Sequence, residues 1–197
     1  MTGYIKDVFT SIQGEGTKVG QRQTFVRFLG CNLSCNYCDT PECQKKEGQF
    51  IFKGEVFQNP ITIDLLVDKI LEDEVAITGG EPLLQPIFLL QLCQDLKKMK
   101  KNIYLETNGT LPGVLELVNR YIDIIALDFK IPTATGRPAM WKRNEEMLRI
   151  ASKKEVFVKM VINENFLPQE LDKVCTIIER IDKKIPLIIQ PVFGRNI

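Results

Sequence analysis

Six short apolar runs alternating with amphipathic stretches predict an α/β fold, a partial (β/α)6 TIM-like barrel with an N-terminal extension. Three observations carry this expectation. The alternation is regular from about residue 60 onward, and the apolar runs are too short to be helices. The chain has 197 residues, which is one domain by length. Eight β/α units need about 250 residues, so six fit and eight do not. A doubly wound sheet shares the alternation and is the other arrangement compatible with it.

The first predicted strand is Thr24–Leu29, preceded by an N-terminal segment over 1–23. Residues 39–60 have no strong periodicity, contain Gly48, Gly54 and several charges, and read as an irregular insertion. Ile61–Glu72 sets Ile63, Leu66, Val67, Ile70 and Leu71 on one helical face, with Thr62 or Asp64 near its start. A short buried strand follows at Val75–Thr78, stopped by Gly79-Gly80. Pro86–Lys100 is a helix whose Lys-rich end suits the negative pole of its dipole. Strand Ile103–Thr107 ends at Asn108-Gly109, and Pro112 opens a helix to Arg120. Strand Ile122–Phe129, helix Lys142–Ser152, strand Val156–Ile162, helix Pro168–Asp182 and strand Pro186–Gln190 complete the series. No repeat or low-complexity linker divides it, so 1–197 reads as a single domain.

Composition excludes several kinds of chemistry. With 26 Lys plus Arg against 25 Asp plus Glu, the formal charge is +1, which offers no global field for nucleic acid or an anionic membrane. Direct nucleic-acid binding is therefore not expected. The absence of histidine removes Ser-His-Asp and Cys-His nucleophile systems, His-ligated metals and imidazole acid–base catalysis. There is no apolar run of about 18 residues, and Met1–Thr10 lacks the order of a signal peptide, so a soluble cytoplasmic protein is expected. In a reducing compartment, three closely spaced cysteines out of six read as metal ligands rather than disulfide partners.

Those three are Cys31, Cys35 and Cys38, spaced C-x3-C-x2-C at the C-terminal end of the first predicted strand. Active sites of barrel folds gather at that end. Three thiolates in one loop can hold three irons of a 4Fe–4S cluster and leave the fourth open to a substrate or cofactor. The alternative is structural zinc with Cys43 as fourth ligand, but closed zinc sites usually come as two separated ligand pairs. Cys43 reads as a spare loop thiol, and Cys93 and Cys175 as core residues. At the next strand end stands Thr78-Gly79-Gly80-Glu81-Pro82, whose glycines allow close backbone approach to a ligand. Alone, this segment reads as a turn before a helix. Arg27 lies within an apolar strand, and alternation directs it the same way as Phe25 and Leu29. Pointing inward, its guanidinium needs a carboxylate partner and suits a substrate carboxylate; pointing outward, it is a solvated surface residue.

With the cysteine triplet on one strand end and Gly-Gly-Glu-Pro on the next, the sequence resembles the radical S-adenosylmethionine (SAM) superfamily. The resemblance implies a cluster on the three cysteines and SAM at its open iron. Its amino group would lie on the Gly79-Gly80-Glu81 turn, with Tyr37 and Asp39 flanking the last cysteine as further contacts. Asp128-Phe129-Lys130 falls where the superfamily contacts SAM, often as Ser-Pro-Lys, and only Lys130 agrees with that pattern. Gln190 ends the sixth strand at another such position.

Val8–Gly16, Phe25–Thr40, Glu106–Thr110 and Gln190-Pro191 more narrowly resemble the 7-carboxy-7-deazaguanine synthase family. That resemblance implies ring contraction of 6-carboxy-5,6,7,8-tetrahydropterin with loss of ammonia, initiated by a 5′-deoxyadenosyl radical from reductive SAM cleavage. Its substrate residues would be Ile12, Gln13, Gly14, Glu15, Arg27 and Thr78, with Thr40 holding Mg2+. Gln13 and Glu15 bring an amide and a carboxylate suited to a pterin edge, although Ser11–Gly16 also reads as a glycine-rich hairpin opening. A homodimer and an electron donor such as flavodoxin or ferredoxin are the expected partners. Some family members use the C-terminal residue in the substrate pocket, and the tail Arg195-Asn196-Ile197 leaves that contribution open. A glycyl-radical-enzyme activase and a non-catalytic iron–sulfur or zinc module are the alternative functions.

Overall fold

The computed structural model describes residues 1–192. The tail Arg195-Asn196-Ile197 and the preceding Phe193-Gly194 lie outside the described residues. The chain runs β1 (Thr2–Gly3), β2 (Ile5–Ile12), β3 (Arg22–Phe28), β4 (Gln49–Phe52), β5 (Glu55–Gln58), β6 (Ile61–Thr62) and α1 (Ile63–Val67). It continues through β7 (Glu74–Gly79), α2 (Pro86–Lys98), β8 (Asn102–Thr107), α3 (Pro112–Val118), β9 (Ile124–Asp128) and α4 (Pro132–Thr135). The last elements are α5 (Trp141–Ala151), β10 (Glu155–Ile162), α6 (Pro168–Ile181) and β11 (Leu187–Pro191).

One sheet of nine strands has the order β11-β10-β9-β8-β7-β3-β2-β4-β5. Its six parallel strands, β3 and β7 to β11, follow one another in chain order and correspond to the six predicted ones. Side chains alternate across this sheet because successive Cβ atoms point to opposite faces. One face carries Val26, Ile77, Leu105, Ile125 and Val158 into the main core, where Leu66, Leu92, Leu115, Leu148 and Val174 of the helices meet them. The other face carries a smaller cluster of Phe25, Ala76, Tyr104, Ile124, Ala126 and Phe157, which fills the barrel interior. Helices therefore cover one side, and the curved side is free to form a site.

Two expectations need correction. The predicted helix Ile61–Glu72 is helical only over Ile63–Val67, capped by the Thr62 hydroxyl, which accepts from the Leu65 N–H at 3.4 Å. Beyond it, the Leu71 and Glu72 N–H groups both donate to the buried Thr24 hydroxyl, at 3.3 and 3.0 Å, which draws the chain out of the helix. The 39–60 insertion is not irregular throughout, since β4 and β5 form a hairpin that extends the sheet beside β2. Lys53 and Gly54, at φ 50° and 85°, make its two-residue turn, the left-handed geometry that favours glycine in tight hairpins. The N-terminal segment is itself a hairpin arm, with β2 antiparallel to β3 and residues 13–21 as its loop.

The ends of β3 and β7 meet because Gly79 and Gly80 have no side chain. A Cβ at Gly80 would lie 2.2 Å from the Gly30 carbonyl oxygen and 2.5 Å from that of Cys43. At Gly79, where φ is +116°, it would lie 2.3 Å from the Phe28 nitrogen. In that space the Gly80 N–H donates to Phe28 O at 2.9 Å and the Glu81 N–H to Gly30 O at 2.8 Å. The Gly30 N–H in turn donates to Cys43 O at 2.8 Å. These glycines thus fit the chain's own backbone as tightly as they could fit a ligand. Gly80→Ala is predicted to destabilise the fold by roughly 1–3 kcal/mol, the usual range for overpacking against atoms that cannot move aside, as read from the urea unfolding midpoint.

Candidate active site

A cavity of about 880 Å³ opens at the C-terminal ends of the parallel strands. Cys31, Cys35 and Cys38 line it, as do Tyr37, Asp39 and Thr40 of the same loop. Ile12 at the end of β2 and Gln13, Gly14 and Glu15 of the β2–β3 loop reach it, with Arg27 and Thr78 from β3 and β7. Gly79, Gly80, Asp128, Lys130 and Gln190 complete the sequence-predicted residues found there. Segments up to about 175 residues apart are thereby brought around one space, as the Gln190 to Glu15 hydrogen bond of 2.7 Å shows.

Glu81 and Phe129 do not line the cavity. Phe129 follows the inward-facing Asp128 on β9, so alternation turns its ring into the main core, where it is fully buried. Glu81 is also fully buried, and its carboxylate clamps two turns together. It accepts from the Leu83 N–H at 3.0 Å, the Thr107 hydroxyl at 2.9 Å and the Asn108 N–H at 2.7 Å. Burial pushes its carboxyl up to about 7 despite those donors. Neither side chain faces the cavity; the Glu81 clamp fixes the turn whose glycines do.

The cysteine loop is held from two directions. Cys31 is tied to the β3 and β8 ends: its sulfur lies 3.4 Å from the Leu33 N–H and 3.8 Å from Asn108 Nδ2. Asn108 also donates to Asn32 at 2.9 Å. The far part of the loop rests on the segment after β9. The Asn36 N–H donates to Thr135 O at 3.2 Å, and the Arg137 guanidinium caps Ser34 O at 3.1 Å. Lys130 donates to the Tyr37 hydroxyl at 2.9 Å and to Asp128 at 2.6 Å, with its ammonium 5.0 Å from the Tyr37 ring centroid. Burial works against the Lys130 charge, but Asp128 and Tyr37 outweigh it and hold its pKa well above the ordinary lysine value. Burial, followed by Asp128, pushes the Tyr37 hydroxyl above its usual value.

Deeper in the barrel a polar belt joins five elements. Thr78 donates to Glu106 at 2.8 Å, and Gln13 bridges Glu106 and Gln23 at 3.2 and 3.3 Å. The Glu15 N–H donates to Gln13 Oε1 at 3.1 Å, and the Glu15 carboxylate pairs with Lys159 and Gln190. Burial would raise the Glu15 carboxyl, but Lys159 and then Gln190 bring it below its ordinary value. Arg27 points inward as alternation requires; its Nη1 meets Asp7 at 3.0 Å and its guanidinium stacks 5.0 Å from the Phe9 ring, which lies on Phe25. Ser11–Glu15 both leads into the β2–β3 hairpin loop and lines the cavity.

Sequence reasoning gave no role to Glu106 or Lys159, both of which line the cavity. Lys159 had the same signal as Arg27, a lone charge inside an apolar strand. Cys43 is 1% exposed and does not line the cavity, its thiol pushed up to about 11 by burial. It is therefore not arranged as a fourth ligand beside the triplet. Cys93 is fully buried in the core as expected, whereas Cys175 is only partly buried. Among the described residues no group of three Cys, Asp or Glu side chains is arranged to hold a single metal ion.

Residues 25–181 match the family model of the Radical SAM superfamily. The chain belongs to that superfamily. As a radical SAM protein it implies a 4Fe–4S cluster and SAM, and the three cavity thiols with their two nearby N–H donors fit the cluster's ligand set. Within the superfamily it also belongs to the 7-carboxy-7-deazaguanine synthase family. It is 37% identical over 205 residues to the 7-carboxy-7-deazaguanine synthase of Geobacter sulfurreducens, covering 95% of this chain and 81% of that one. The synthase of Archaeoglobus fulgidus is 32% identical over 211 residues, covering 100% of this chain and 87% of the relative. The crystal structure of QueE from Escherichia coli superposes with a TM-score of 0.69 at 20% identity, over 98% of this chain and 85% of that one, a likeness of fold. Radical SAM membership thus agrees with the partial barrel described above.

Glu81→Gln tests the clamp. The amide nitrogen would face the Asn108 N–H or one of the other two donors, leaving a buried donor unpaired, which costs about 1–3 kcal/mol. Equilibrium urea unfolding of this variant should show a correspondingly lower midpoint.

Proposed function

We propose that the chain is a 7-carboxy-7-deazaguanine synthase, converting 6-carboxy-5,6,7,8-tetrahydropterin to 7-carboxy-7-deazaguanine with loss of ammonia in queuosine and related deazapurine biosynthesis. One observation carries this reading above the others: a single cavity is lined both by the cysteine triplet and by the polar belt from Thr78 to Gln190. Its volume of about 880 Å³ is at the upper end for small-molecule sites, which suits a cofactor and a substrate together.

Cys31, Cys35 and Cys38 would hold the cluster. The reduced cluster would supply the electron that cleaves SAM to methionine and a carbon-centred radical able to abstract a hydrogen atom from the pterin. The Gly79-Gly80 backbone, Tyr37, Asp39, Asp128, Lys130 and Gln190 would orient SAM. Burial pushes the Cys31 and Cys35 thiols up, so iron is what would keep them as thiolates at neutral pH.

The remaining residues bind and orient substrate. Arg27 uses one nitrogen on Asp7, leaving further N–H groups of its fork for the substrate carboxylate. Thr40 would bind Mg2+ together with that carboxylate, since Mg2+ keeps several waters and takes few protein ligands. Gln13, Glu15 and Thr78 offer an amide, a carboxylate and a hydroxyl to the pyrimidine edge of the pterin, with Ile12 and Gly14 beside them. The radical comes from the cofactors, so the protein's part is position and exclusion of water, which needs no imidazole.

A second copy of the chain is the proposed oligomeric partner; Ile12 and Ile189, 56% and 46% exposed, are apolar surface that it would cover. Flavodoxin or ferredoxin is the proposed electron donor, and the cytoplasm the proposed location. Among the described residues no helix is long and apolar enough to cross a membrane.

Anaerobic turnover of the reconstituted protein with the carboxytetrahydropterin, SAM, Mg2+ and a reductant should yield 7-carboxy-7-deazaguanine. Formation of 5′-deoxyadenosine with no deazaguanine at any Mg2+ concentration rules out the substrate assignment. Tight zinc with no spectral response to SAM rules out radical chemistry altogether. Arg27→Ala is predicted to raise the KM for the pterin by about 10- to 100-fold, the loss of a charge-assisted bidentate contact, at unchanged iron content. Loss of the cluster in that variant would make Arg27 structural.

A further inference from the structure

The β2–β3 loop, residues 13–21, crosses from the hairpin to the opposite end of the parallel sheet and settles on β10 and β11. It has little apolar anchorage of its own, since Ile12 just before it and Val19 within it are 56% and 63% exposed. Beyond the buried Gln13 amide, which bonds Glu106 and Gln23 where the loop begins, three contacts seat it on β10 and β11. Gly16 lies flat against the Phe157 ring, where a Cβ would come within 2.3 Å of it. Lys18 pairs with Glu155 at 2.8 Å, but Glu155 is half exposed and such pairs contribute little. The third contact is the Lys159 ammonium on the Glu15 carboxylate, whose other oxygen accepts from Gln190 at 2.7 Å.

Lys159 differs from an ordinary surface lysine. It is 8% exposed, projects from the middle of β10 into the barrel, and lies among the carboxylates of Glu15, Glu106 and Asp128. Burial opposes its charge, and those three carboxylates together restore it. Removing the ammonium would leave Glu15 and Glu106 in one partly desolvated space without the cation between them, and an uncompensated carboxylate there would turn to solvent. Glu15 would carry the loop with it, because Gln13 and Glu15 are linked within the loop and Gln13 closes it through Gln21 and Gly20.

We propose that Lys159 is a positioning residue: by fixing Glu15 against Gln190 it holds the 13–21 loop shut over the barrel and aims the loop's amide and carboxylate at the substrate. The inference rests on the pterin-binding reading of that loop for its kinetic consequence, but not for its structural one. Lys159 touches Glu15 rather than the reacting atoms, so its loss acts on substrate binding before chemistry.

The experiment compares reconstituted wild type, Lys159→Met and Lys159→Arg. Without substrate, hydrogen–deuterium exchange of the 13–21 amides should accelerate about tenfold or more in Lys159→Met, as expected for loss of a buried charge partner. Lys159→Arg, which keeps the charge, should restore exchange to near the wild-type rate. With the carboxytetrahydropterin, Lys159→Met should raise KM about tenfold or more while kcat falls far less, and iron content should hold. Unchanged loop exchange overturns the proposal, as does a collapse of kcat at unchanged KM, which would put Lys159 at the reacting atoms. If the wild type turns over no pterin, the functional reading fails while the exchange result still decides the role of Lys159. If Lys159→Met does not fold, Glu15→Gln breaks the same pair from the loop side and should release the same amides.

Discussion

The close approach of two strand ends, allowed by the missing side chains of Gly79 and Gly80, is the constraint on which the site depends. Through it the first two β/α units share backbone hydrogen bonds at their C-terminal ends, and the cysteine loop leaves β3 from a fixed point. Glu81 then carries the constraint one strand further, to the turn at Asn108, which faces the sulfur of Cys31. Three successive strand ends are thus locked before any side chain that meets a ligand is considered. This is the preorganisation that a radical reaction needs from its protein, because the cofactors supply reactivity but not direction.

The barrel interior is built in layers. Phe25, Ala76, Tyr104, Ile124 and Phe157 form an apolar floor, and Arg27, Thr78, Glu106, Lys159 and Gln190 form a polar layer above it. Each member of the upper layer stands two residues along its strand from a member of the floor or its close neighbour, as the period of a strand demands. Arg27 pairs with Asp7 and Lys159 with Glu15, Glu106 accepts from the neutral Thr78 and Gln13, and Lys130 with Asp128 closes the top. Such pairing lets ionised groups persist in a partly desolvated space, each held where it can meet a polar ligand.

The parallel strands inside the sheet were legible because strands buried on both faces read as continuous apolar runs, and the half-exposed edge strand β11 by its apolar run alone. β2, β4 and β5 were not, since they lie toward the edge of the sheet and carry charged and exposed residues, such as Lys6, Asp7, Glu55 and Val56. The cysteine triplet, the glycine turn and Arg27 could be read from spacing and alternation. Phe129 and Glu81 stand beside cavity-lining residues but turn their side chains away from the cavity, and strand parity alone directs Phe129 away from Asp128. The hydrogen bonds of Glu81 span 26 and 27 residues to a separate turn and have no local signature. Lys159 was overlooked although its apolar setting in β10 matched that of Arg27 in β3.

The seating of the cysteine loop has a consequence for how the protein comes into being. Tyr37 and Ser34 find their partners in Lys130 and Arg137, which stand 93 and 103 residues later in the chain. Contacts of such sequence separation form late, because closing long loops must precede any gain from them. During synthesis the three thiols would emerge well before the platform that spaces them. Until that platform forms the far part of the loop lacks its support, so the spacing of the three thiols depends on completion of the β9 end of the barrel.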